Sequence, residues 1–108
     1  MGVTLFERPR LGLIGLGAFG RLTARHLSPW FEIKAHDPAA TDGEGFAALT
    51  DLATAAACPT VVLAVPVGVL AETVAAIAPH LTPGALILDV GQLIALGQAR
   101  AETDRRAA

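Results

Sequence analysis

The chain has 108 residues, enough for one small domain with a core and too few for a second of any size. Apolar residues make up 53% and charged residues 17%, a balance that buries a sheet and excludes a disordered chain. The formal charge is -2 with both signs scattered along the sequence, so no basic stripe offers itself to nucleic acid.

The longest apolar stretch, "PTVVLAVPVGVLA", is broken by Pro66 and Gly68 and ends at Glu72. It falls short of the roughly 18 uninterrupted apolar residues of a membrane helix. The opening "MGVTLFERPR" carries charges where the apolar core of a secretory signal would sit, which makes the cytoplasm the expected compartment. Cys58 is the only cysteine, so neither an internal disulfide nor a multi-cysteine metal site is available, and it reads as a buried, inert thiol.

In chain order, Leu11 to Ile14 is an apolar run stopped by glycine, and the amphipathic stretch after that glycine makes it a strand. From Ala18 to Leu27, Phe19, Leu22, Ala24 and Leu27 recur at helical spacing, and Ser28-Pro29 ends the helix. "FEIKAHD", Phe31 to Asp37, alternates apolar and polar as a half-covered strand should. "AATDGEGFAALTD" reads as a loop or abbreviated helix, then a short strand near Phe46 to Leu49, with Asp51 capping a helix from Leu52 to about Ala57.

"TVVLAV", Thr60 to Val65, is β-branched and apolar throughout, as a central parallel strand covered on both faces must be. Val67, Leu70, Val74, Ile77 and Leu81 then step at three or four residues, predicting a helix that packs this stripe onto the sheet. After the turn "TPG", "ALILDV" from Ala85 to Val90 reads as another buried strand, and a terminal helix or tail occupies 92–108. Strands alternating with helices predict an α/β fold with a doubly wound parallel sheet in the order 3-2-1-4-5: one domain, its core over 10–91.

Gly15, Gly17 and Gly20 form G-x-G-x-x-G between the first strand and the first helix. There the pattern has a mechanism and points to a Rossmann-type dinucleotide binder, the competing reading being a tight turn without ligand. Gly15 permits the tight turn, Gly17 lets a pyrophosphate approach the backbone, and Gly20 lets helix and strand pack closely. The phosphates rest on the N–H groups and positive dipole end of the helix starting near Ala18. Asp37 ends the next strand, 22 residues after Gly15, where a carboxylate accepts from the adenosine ribose hydroxyls and repels a 2′-phosphate. NAD is therefore favoured over NADP; the competing role of Asp37 is a turn residue ahead of Pro38. Arg21 either reaches the pyrophosphate or is an exposed first-turn arginine. His36 reads as a strand-end side chain, and Asp89 and Gln92 as structural residues bordering the crevice.

Taken together, "LGLIGLGAFGRLTARHL", "AHDP", "VVLAVPV" and "APHLTPGALILDV" resemble the nucleotide-binding part of prephenate and arogenate dehydrogenases, over about residues 11–90. The resemblance implies that Gly15, Leu16, Gly17, Ala18, Phe19, Gly20 and Asp37 bind NAD, with Val65 and Pro66 along its nicotinamide side. It departs after Val90, where Gly91, Gln92, Leu93 and Ile94 stand in place of the family's serine and lysine segment. The histidine-containing segment and the helical substrate and dimerisation domain have no counterpart. His26, His36 and His80 are not placed to accept a proton from a substrate hydroxyl, so no catalytic residue is assigned. The expectation is a cofactor domain that is not catalytically competent alone and that could pair with a second copy through an exposed apolar patch. Two other readings stand beside it: a regulatory nucleotide-sensing module, and the cofactor domain of another dehydrogenase or reductase.

Overall fold

The computed structural model describes residues 7–90 and Thr103. Its elements are β1 (Arg10–Ile14), α1 (Ala18–Leu27), β2 (Glu32–His36), β3 (Ala48–Leu49), α2 (Leu52–Ala56), β4 (Thr60–Leu63), a 3-10 turn (Val67–Val69), α3 (Leu70–Ile77), a second 3-10 turn (Ala78–His80) and β5 (Leu86–Asp89). The five strands form one parallel sheet in the order β3-β2-β1-β4-β5, as predicted.

Alternation along the central strands splits the core between the two faces of the sheet. Leu11 and Leu13 of β1, Ile33 and Ala35 of β2 and Val62 of β4 pack with Ala24 of α1 on one face. Ile14, Val61 and Leu63 pack on the other with Ala55 and Ala56 of α2 and Ile77 of α3. Leu11 and Leu13 are almost completely buried, and removing each side chain from water stabilises the fold by roughly 1.5–3 kcal/mol.

Gly12 is what lets α2 come so close. A Cβ built there would lie 1.8 Å from the Ala55 carbonyl oxygen, so the strand and the alanine face of the helix touch backbone to backbone. The start of α2 is fixed by Asp51, whose side chain accepts the Thr54 N–H at 2.7 Å. The strand tips are held in register by the Gly15 N–H to the His36 carbonyl and the Ala64 N–H to that of Ile14, at 2.9 and 2.8 Å.

Several expected packings differ. The buried face of α1 runs through Gly20 and Ala24, with Leu27 partly buried against the same cluster, whereas Phe19 is 54% exposed and Leu22 is exposed too. The stripe after β4 is only half used: Leu70, Ile77 and Leu81 pack against the sheet, while Val67 is 81% exposed and Val74 is exposed. The reason is that the chain leaves β4 through a 3-10 turn, and α3 starts only at Leu70, which rotates Val67 out of the stripe. β4 ends at Leu63 rather than Val65, and β3 is confined to Ala48–Leu49 with the preceding residues in turns.

The largest difference is β5. Leu86, Ile87 and Leu88 are exposed, Leu86 by 55%, so this strand is not the doubly covered one its composition suggested. It is the edge strand, bonded only to β4 among the described residues. The expected terminal segment over 92–108, with Gln92, lies outside the described residues apart from Thr103.

Candidate functional site

The carboxyl ends of β1, β2 and β4 converge on a crevice of about 640 Å³. Parallel pairing aligns Ile14 with His36 on one side and Leu63 on the other, so the loops after all three strands open at one level. A doubly wound sheet places its ligand at this point, where the chain turns left from one central strand and right from its neighbour.

The glycine turn forms the floor. Gly15 sits at φ 104°, a conformation that disfavours any side chain, and a Cβ there would lie 2.5 Å from the Ala64 carbonyl oxygen. A Cβ on Gly20 would lie 2.0 Å from the Gly15 carbonyl oxygen, so this glycine sits directly beneath the turn. Gly17, the N-cap of α1, is different: open space surrounds the position of its missing Cβ. The first N–H groups of α1 have no partner within the helix and carry its positive dipole end.

Asp37 stands beside the glycine turn, and both of its oxygens accept backbone N–H groups. Oδ2 takes that of Leu16 at 2.7 Å and Oδ1 that of Ala39 at 2.9 Å. A carboxylate has about four acceptor positions, so two remain for a ligand. His36 is oriented by Nδ1 against the Thr50 carbonyl oxygen at 3.1 Å.

Of the nine residues expected at the site, Gly15, Gly17, Asp37, Val65 and Pro66 line the crevice together. Leu16 is buried in the core and faces the site only through its N–H, while Gly20 packs below the turn. Ala18 and Phe19 lie in the exposed first turn of α1 and do not line the crevice. Arg21 is engaged elsewhere, pairing with Glu44 at 3.0 Å and Asp42 at 3.7 Å. Asp89 ends β5 outside the crevice lining.

Sequence reasoning missed one wall. Val69, Glu72, Thr73 and Ala76 line the crevice, with Leu52 of α2 and Pro38 beside them. Their i, i+3, i+4, i+7 spacing is itself a helical face, turned from the Leu70 and Ile77 face that packs on the sheet. The mixed polarity of this face hid it from a search for apolar stripes.

The model of the prephenate dehydrogenase nucleotide-binding domain matches residues 32–95, more than half of the chain. The chain belongs to this family. The match begins after the glycine fingerprint, so Gly15, Gly17 and Gly20 are a separate indication of the same kind of domain. No curated protein matches the chain.

Solved structures share the fold. D-lactate dehydrogenase from Escherichia coli superposes with a TM-score of 0.66 at 20% identity over 78% of this chain and 29% of its own. Salmonella D-lactate dehydrogenase gives 0.65 at 21% identity, over 78% of this chain and 27% of its own. Rhodotorula graminis D-mandelate dehydrogenase gives 0.63 at 26% identity, over 77% and 27%. The chain thus spans less than a third of each of these dehydrogenases. As a nucleotide-binding dehydrogenase domain it takes a dinucleotide cofactor, and no helix among the described residues is long and apolar enough to cross a membrane.

Proposed function

We propose that this domain binds NAD as the cofactor half of a prephenate or arogenate dehydrogenase-like oxidoreductase of tyrosine biosynthesis, acting in the cytoplasm. The observation that carries the reading is that Gly17 and Asp37 line one crevice side by side, the Asp37 carboxylate bonded to the Leu16 N–H next to Gly17. Gly17 leaves space beside the α1 N-terminus for a pyrophosphate, and Asp37 stands where the adenosine ribose comes next. Gly15 and Gly20 shape the turn, the amides of Leu16, Ala18 and Phe19 lead from it into the first turn of α1, and Val65 and Pro66 lie along the nicotinamide side.

Bound NAD supplies the hydride acceptor, and the chain's own residues bind and orient it. The Asp37 carboxylate, already turned inward by the Leu16 N–H, accepts from the ribose hydroxyls and repels a 2′-phosphate. The one histidine lining the described crevice, His36, is held at the end of β2 against the Thr50 carbonyl oxygen and is given no part in taking a substrate proton, so the reading is that this chain alone turns over neither prephenate nor arogenate. A regulatory nucleotide-sensing role uses the same crevice without chemistry; Pro66 at the β4 exit favours the dehydrogenase reading. The apolar groove of about 350 Å³ lined by Leu22, Leu27, Val62, Leu88 and Val90 is the surface through which two copies would pair.

The test is a pair of fluorescence titrations with NADH and NADPH. Saturable NADH binding at least about tenfold tighter than NADPH supports the reading; equal affinity removes the role given to Asp37.

A further inference from the structure

We propose that the open edge of β5 joins two copies of this chain, paired antiparallel about a two-fold axis at Ile87. The inference rests on the pairing of copies proposed for this chain and fixes its geometry. Among the described residues β5 is bonded only to β4, while the opposite edge of the sheet, β3, has just two residues. β5 carries no proline, no lysine and no bulge, the usual devices that keep an edge strand solitary. Its three apolar side chains, Leu86, Ile87 and Leu88, are all exposed. A parallel neighbour from the same chain needs a crossover of about a dozen residues, and the apolar run "LIAL" after β5 starts too soon for that, at Leu93.

The strand is self-complementary in one register. The Leu86 N–H donates to the Pro59 carbonyl oxygen at 2.9 Å, so Leu86 turns its backbone groups to β4 and, by alternation, Ile87 turns its own to the open edge. Leu88 lines the groove on the α1 face with Leu22 and Val62; Leu86 shares that face, and Ile87 takes the other with its register partner Val61. Residues directly opposite in an antiparallel pair point to the same face, so the axis must pass at a residue rather than between two.

An axis at Ile87 sets Ile87 against Ile87 of the second copy, with both N–H···O bonds exchanged. It also sets each Leu86 against Leu88 of the other copy on the α1 face, so every apolar side chain of the strand meets another. An axis at Leu88 would oppose Ile87 to the Asp89 carboxylate and would need Val90, which is helical, to continue the strand. An axis at Leu86 would oppose Leu88 to Gly84, which sits in the turn at φ 80°. Only the Ile87 register uses the strand without a mismatch. The sheet then runs through both copies, and Leu86 of each borders the apolar groove of the other.

The experiment combines sedimentation velocity with cross-linking by oxidised glutathione, on the full chain. The wild type should sediment as a dimer. Ile87→Lys, which sets two like charges opposite each other at an exposed position, should sediment as a monomer with an unchanged circular dichroism spectrum. Ile87→Cys should give a covalent dimer, because paired Cα atoms about 5.5 Å apart lie within disulfide reach. Leu88→Cys should not, since its counterpart lies two residues along the opposite strand, roughly 8 Å away. The wild type, whose only cysteine is the buried Cys58, is the unlinked control. A dimer that survives Ile87→Lys, or that links through Leu88→Cys as well as or better than through Ile87→Cys, or through neither, overturns the edge pairing and leaves pairing across the groove standing. A wild type that sediments as a monomer overturns both.

Discussion

Asp37 Oδ2 accepts the backbone N–H of Leu16 at 2.7 Å, joining the end of β2 to the middle of the glycine turn across 21 residues of sequence. The carboxylate that faces the crevice therefore also holds the loop in shape. Asp37→Ala removes the acceptor for both Leu16 and Ala39. It should cost about 1–3 kcal/mol of stability, weaken NADH by about tenfold or more, and narrow the gap to NADPH. Thermal melts alongside NADH and NADPH titrations check this; an unchanged melting temperature would show that the two N–H bonds contribute nothing.

Two of the fingerprint glycines should separate by experiment. Gly17→Ala meets no atom within 4 Å and sits at φ -75°, so stability should stay within about 0.5 kcal/mol, while the new methyl group obstructs the pyrophosphate and weakens NADH. Gly20→Ala drives a methyl group into the Gly15 carbonyl and should cost about 3 kcal/mol, lowering the melting temperature by roughly 10 °C or more. Equal stability losses for the two would contradict the geometry of the turn.

The Asp51 cap gives a pH dependence of known sign. Hydrogen bonds from Thr54 hold the Asp51 carboxyl below the usual carboxylate range in the folded chain. A group depressed by folding stabilises above its unfolded pKa of about 3.9, and that contribution disappears as pH falls through the folded value. Denaturant unfolding should show Asp51→Ala less stable than wild type at pH 7, with the difference shrinking steadily below about pH 4. A difference independent of pH would mean that the carboxylate is not the cap.

Cys58 should be silent until the chain unfolds. The residue is buried, its thiol reaches the Thr54 carbonyl oxygen at 3.6 Å, and burial pushes its pKa up, so little thiolate is available. A thiol reagent at about pH 7.5 should label it slowly in the native chain and at once in guanidinium chloride. Fast native labelling would place the thiol outside the α2 packing.

The order of strands and the glycine turn were legible in the sequence because both rest on local signals: apolar runs of strand length, helical spacing between them, and three glycines at one junction. Gly12 was missed although a glycine inside a strand signals close approach, since nothing local says which backbone comes near. β5 misled because "ALILDV" has the composition of a buried strand, and edge position depends on pairing partners that are not encoded within it. The α3 wall of the crevice was hidden for a related reason. Glu72 and Thr73 look like the solvent face of a helix until α3 is set against Pro38 and Leu52.

Where the dinucleotide sits is tested most directly by backbone amide chemical shifts measured during an NADH titration. Binding in the crevice predicts saturable shifts concentrated at Gly15 to Phe19, Asp37, Val65 and the Val69 to Ala76 face, with Arg10, Glu32 and Cys58 at the opposite end of the sheet unmoved. No shifts at millimolar NADH, or shifts confined to that opposite end, would contradict it.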